Sequence, residues 1–187
     1  IKTFNNNIYI IMYHYVRSIK KSKYPNLKGL EFSDFKKQIL FLKKNFNLLS
    51  NNEFIEILHS RKTPKKKSIL LTFDDGYRDH FEYVFPFLKK QNVSAVFYPP
   101  IMCIRNKVVL DVNKIHLILE KEENRDKILN LIFHYLKKFL NKNPQQIGIK
   151  KINLSSRYDD KKTILIKRLL QNHLPSPYRK KIIDKIF

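Results

Sequence analysis

The chain has 187 residues, 43% of them apolar, with 14 phenylalanines, which supplies a packed core and excludes a disordered segment. Its formal charge of +22 accompanies abundant Lys, Asn, Ile and Phe and only three glycines. The lysines are spread along the chain, so the charge reads as a solvated basic surface, with no specific nucleic-acid partner. A single cysteine, Cys103, excludes an intrachain disulfide and a cysteine-based zinc site, and reads as a small buried hydrophobe.

Ile8 to Val16 is rich in β-branched and aromatic residues and predicts a first buried strand. Arg17 to Gly29 is basic, contains Pro25 and reads as a loop. Ser33 is a candidate N-cap for a helix carrying Phe35, Ile39 and Leu42 on one stripe and ending near Lys44. Phe46 to Leu49 is a short strand candidate, and Ser50-Asn51-Asn52-Glu53 matches a capping box that opens a second helix. Lys62 to Lys67 forms a polar loop. Ser68 to Phe73 then predicts a strand covered on both faces.

Asp79 to Gln91 predicts a helix that Pro86 kinks or restarts, followed by a strand over Val93 to Tyr98 that Pro99-Pro100 stops. Strands alternating with helices imply βαβ units and a mostly parallel sheet or barrel. After residue 105 the pattern is helical only. Asp111 is a candidate cap for a helix through Ile115 and Leu119, and helices are predicted over 124–140, 159–173 and 178–187. The expected organisation is an α/β part over 1–105 and a basic, all-helical part over 106–187. No stretch reaches the ~18 apolar residues that span a bilayer, and Ile8 to Val16 lacks the basic flank and cleavage site of a signal peptide. A leader lost upstream of Ile1 would leave the compartment open between cytoplasmic and secreted. Oligomeric state is not readable from the sequence.

The chemistry concentrates where the buried strand ends in Asp74-Asp75-Gly76. Adjacent carboxylates there can bind a hard cation, act as base and ligand, or cap the following helix. Alternation along a strand lets one face a metal and its neighbour a bound water. His14, in the strand expected alongside, either lines the site or packs in the core. Arg78 and Asp79 read as helix N-terminal charges with surface contacts, the alternative being support of the site from behind it, and His116 reads as packed on an apolar stripe and not as a ligand.

Thr72-Phe73-Asp74-Asp75-Gly76 resembles the first motif of the polysaccharide deacetylases, the NodB-homology domain of carbohydrate esterase family 4. Ile11-Met12-Tyr13-His14-Tyr15-Val16 resembles the first strand of many members, and Val93 to Pro100 resembles the strand after the motif. Leu110 to His116 is similar to weaker motifs of a helical insertion in one subgroup. The resemblance implies the N-terminal portion of a deformed (β/α) barrel followed by an all-helical insertion or extension. It implies a metal-dependent deacetylase acting on the acetamide C–N bond of N-acetylated sugars in a polysaccharide or surface glycan. Asp74 maps to the general base and Asp75 to a ligand of a divalent metal, with zinc expected; His14, by its place in the neighbouring strand and not by the resemblance, is the candidate substrate contact.

Two departures accompany it. The family's His-x-x-x-His ligand pair is absent, because no two of the six histidines lie four apart, and Pro177-Tyr178 lacks the Arg of the family's Arg-x-Pro-Tyr. The expectation is therefore an incomplete, inert portion of an enzyme. The alternative is a non-catalytic glycan-binding or degenerate deacetylase-like domain.

Overall fold

The structure, a computed structural model, describes residues 7–60, 64 and 66–187. It is mixed α/β and divides into two compact units, Ile1–Arg105 and Asn106–Phe187. Most of the loop expected over 62–67 lies outside the described residues.

The first unit is built on a parallel sheet. Its strands are β1 (Ile8–Tyr13), β4 (Asn47–Leu48), β5 (Ser68–Asp74) and β6 (Val96–Tyr98). β1 pairs with β5 along its length, from Ile8 opposite Ser68 to Tyr13 opposite Phe73. The other edge of β5 is shared, with β4 at its start and β6 at its end. β5 is thus central, and every residue from Ser68 to Phe73 is buried, as its uncharged run predicts.

The strand predicted over Ile8 to Val16 differs. It ends at Tyr13, and the chain resumes extended conformation as β2 (Val16–Arg17), which pairs in parallel with β3 (Leu30–Glu31) in a separate ribbon. β1 is also not buried throughout: Ile10 and Met12 are each 58% exposed. An apolar strand does not itself specify that both of its faces are covered, and here one face remains open.

Helix α1 (Phe32–Asn45) covers the other face. Phe35 and Ile39, one turn apart, are fully buried and pack with Tyr13, Ile69, Leu71 and Phe73. Burial of each such side chain is worth about 1.5–3 kcal/mol. Glu31, not Ser33, occupies the N-cap, and its side chain makes no capping bond; Ser33 lies inside the first turn. The helix starts two residues earlier, and Phe32 packs against Phe35 and Phe87.

The capping box before α2 (Asn51–Ser60) forms in both directions. Glu53 N–H donates to Ser50 Oγ at 3.2 Å, and Ser50 N–H donates to Glu53 Oε2 at 2.7 Å. The helical stretch after the motif is a π-helical turn (His80–Val84) running into α3 (Phe85–Lys90), with Pro86 as the second residue of α3, just past the irregular turn. β6 is shorter than predicted, and after the prolines a further helix, α4 (Ile101–Asn106), forms that the sequence does not suggest. Cys103 lies on it, half-buried and not enclosed as expected.

The second unit holds α5 (Asp111–Lys121), α6 (Arg125–Leu140), α7 (Lys161–Arg168), which continues into a π-helical turn (Leu169–His173), and α8 (Ser176–Ile186). Asn124 caps α6 by accepting from the N–H groups of Asp126 and Lys127, and Asp160 caps α7 by accepting from Lys162 and Thr163. Asp111 is not a cap: Leu110 holds that position, and Asp111 sits in the first turn, where its charge suits the helix dipole. The apolar stripes meet in one core around Ile115, Ile132, Leu136, Ile166, Leu169 and Ile182.

Candidate active site

The sheet register builds the site. Tyr13, Phe73 and Phe97 are opposite one another on β1, β5 and β6, and their rings stack at centroid distances of 5.0 and 4.9 Å. Phe35 meets both Tyr13 and Phe73 edge-on, at 5.2 and 5.9 Å. This row of rings locks the ends of three strands on the helix-covered face. Side chains alternate along a strand, so the next position on each delivers a different set: His14, Asp74 and Tyr98. The structure brings His14 and Asp74 together, with His14 Nε2 4.0 Å from Asp74 Oδ2.

Asp74 and Asp75 border a cavity of about 520 Å³, within the range of small-molecule sites. Thr72, Tyr98 and Pro100 line it beside the carboxylates, and Ile10, Met12, Phe54 and Leu70 form its apolar remainder.

The chain turns sharply after Asp74. Asp75 has φ of 70° and Gly76 φ of 59°, two successive left-handed residues. Glycine is required at the second position for a further reason: a Cβ there would sit 2.7 Å from Pro99 Cβ and 2.9 Å from its Cα. This close approach ties the exit of β5 to the exit of β6.

Tyr77 stabilises the strained Asp75. Its hydroxyl donates to Asp75 Oδ2 at 2.6 Å, and its ring stacks on Tyr15 at 4.3 Å. The Arg17 guanidinium lies over both rings, 5.1 Å from Tyr15 and 5.6 Å from Tyr77, and pairs with the Asp79 carboxylate. Burial, and then the bond to Asp75, push the Tyr77 phenol far above its ordinary range, so it stays a donor. The expectation of surface contacts for Asp79 is corrected, since Asp79 and Arg17 form a largely buried pair. Arg78 does make one, pairing with Glu82 at 2.6 Å on the surface.

Sequence reasoning overlooks His80. It is 3% exposed, packed against Phe73 and Tyr77, and its Nε2–H donates to the His14 carbonyl at 2.7 Å. Burial lowers its pKa, which holds the ring neutral, and among the described residues Nδ1 meets no hydrogen-bond partner. His80 thereby fixes the backbone from which the His14 side chain projects. The local signal is its place four residues after Gly76, in the first helical turn, but its partner lies 66 residues away. His116 is half-buried on α5 in the helical unit.

A catalytic zinc takes three protein ligands. Among the described residues no three His, Cys, Asp or Glu side chains come together, and one Asp75 oxygen already accepts from Tyr77. The described residues do not fit a metal ion by themselves.

Residues 61–101 match the family model for polysaccharide deacetylases. The chain is 31% identical over 90 residues to YxkH of Bacillus subtilis (strain 168), provisionally named a polysaccharide deacetylase, a match covering 48% of this chain and 30% of that protein. Two solved structures are similar over about half of this chain. One is a de-N-acetylase from Aggregatibacter actinomycetemcomitans, 27% identical, TM-score 0.43, covering 49% of this chain and 37% of that one. The other is IcaB from Ammonifex degensii, 25% identical, TM-score 0.42, covering 50% and 38%. The chain thus matches well under half the length of these proteins. The stretch that matches the polysaccharide deacetylase model holds β5 and both adjacent carboxylates.

Proposed function

We propose that the protein containing this chain is a hydrolase that removes acetyl groups from amino sugars of a polysaccharide or surface glycan by cleaving the acetamide C–N bond. The observation that carries this reading is the placement of Asp74 and Asp75. They stand at the C-terminal end of the central parallel strand, on a cavity, within the stretch that matches the deacetylase family. Ligands of open parallel sheets bind at that edge.

In this reading residues 1–105 are the N-terminal portion of a deformed (β/α) barrel, and residues 106–187 are a helical insertion or extension. Asp74 is the general base, taking a proton from water as the oxygen adds to the acetamide carbonyl. His14, beside it, faces the substrate. Asp75 is held by Tyr77 with one oxygen left over, as suits a single ligand of a divalent ion, zinc by the family resemblance. The remaining ligands are not among the described residues, and no step is assigned to the ion.

Asp74→Asn in the full-length protein tests the assignment. Acetate release from N-acetylglucosamine oligomers is expected to fall by about 100-fold or more, with the circular dichroism spectrum unchanged. An unchanged rate would remove Asp74 from the chemistry. The ligand shortfall favours a second reading, a domain that binds glycan without hydrolysing it, which predicts glycan binding and no acetate.

A further inference from the structure

We propose that Tyr98 is the platform on which a sugar ring of the substrate stacks, setting the acetamide over Asp74. This rests on the deacetylase reading above and adds a residue that determines how the substrate is held.

Tyr98 and Asp74 are direct register partners on adjacent parallel strands, so their side chains leave the sheet on the same side. Both border the same cavity. The neighbouring aromatic on β6, Phe97, is spent in the stack with Phe73, whereas Tyr98 is 55% exposed and has no ring partner among the described residues. An aromatic of this size left open beside a carboxylate offers an apolar face with a polar rim. A pyranose has the complementary surfaces, a face of C–H groups and an edge of hydroxyl and acetamide groups.

The platform is also held rigidly. The Phe73–Phe97 stack fixes β6 one residue before Tyr98. The close approach of Gly76 to Pro99 fixes the chain one residue after it. A ring docked on Tyr98 therefore meets Asp74 at a separation set by sheet pairing and not by a mobile loop. Pro100 and Met12 add apolar surface to the same cavity, which suits an oligosaccharide better than a free monosaccharide.

The test is calorimetric titration of the 187-residue chain with the N-acetylglucosamine pentamer. It uses wild type, Tyr98→Phe, Tyr98→Leu and Tyr98→Ala, each checked by circular dichroism. Tyr98→Phe keeps the ring face and is expected to bind within about twofold of wild type. Tyr98→Leu keeps apolar bulk without the face and, like Tyr98→Ala, is expected to bind about tenfold or more weakly. Wild-type affinity in Tyr98→Leu would overturn the platform, as would failure of the wild-type chain to bind the pentamer. The deacetylase reading fails on a separate measurement, the release of acetate by the full-length protein.

Discussion

Gly76→Ala offers a direct check on how the site is built. The substitution places a Cβ at φ of 59°, where an L side chain costs about 1–2 kcal/mol, and drives it to 2.7 Å from Pro99 Cβ and 2.9 Å from Pro99 Cα. A proline backbone atom cannot rotate away, so overpacking adds about 1–3 kcal/mol. Gly148 provides the control. Its φ is 68°, but the atom nearest to a Cβ added there, Lys151 Cδ, is 3.9 Å away and belongs to a flexible side chain. Gly148→Ala therefore costs the conformational part alone. The gain of about 0.4–1 kcal/mol from a stiffer unfolded chain is common to both and cancels in the difference. In urea denaturation followed by circular dichroism, Gly76→Ala is expected to lose about 1–3 kcal/mol more than Gly148→Ala, each read on the transition of its own unit. Equal losses would refute the claim that packing against Pro99, and not φ alone, requires glycine.

Other expectations follow from the same geometry. Arg17→Met leaves the Asp79 carboxylate without its counter-charge in a largely enclosed setting, so a loss of about 3 kcal/mol is expected in the same assay, and Arg17→Met with Asp79→Leu should recover part of it. Tyr77→Phe keeps the stack on Tyr15 and removes the hydroxyl that donates to Asp75, which predicts a loss of about 1 kcal/mol or more and a more mobile Asp75 in side-chain carboxyl NMR. Tyr13 is buried and its phenol is pushed up to about 12 from 10.0. The folded state therefore holds a proton that the unfolded chain releases, so stability is unaffected below about pH 10 and falls as pH rises toward 12. Tyr13→Phe should lose less stability than wild type over that window, and parallel pH profiles would contradict the assignment.

The sequence discloses what depends on local chemistry. The uncharged run before Asp74 marks a buried strand, and Ser50 with Glu53 marks a working capping box, because both signals act within a few residues. Tyr13 and Phe35 are legible as apolar, but their shared stack with Phe73 is not. That contact joins distant elements and exists only once the sheet register is set. Tyr15 and Val16 look like strand residues and so extend the first predicted strand too far. The Tyr15 ring instead joins the Tyr77 stack, and Val16 belongs to a second ribbon while its side chain is buried in the core. The same reason hides the environment of Asp75, whose partner Tyr77 and whose positive φ are products of the turn. Asp74, Asp75 and His14 are all legible in the sequence as candidates. The structure adds how His14 meets Asp74, through the end of β1 and the bond from His80 to the His14 carbonyl.

The central claim is that the two carboxylates at the end of β5 serve amide hydrolysis on a glycan. Its most direct test is to incubate the full-length protein with N-acetylglucosamine oligomers and measure acetate and newly formed amine together. The account predicts that both appear in equal amounts, and that both are lost when Asp74 is replaced by Asn. Binding of the oligomers with neither product formed would contradict it.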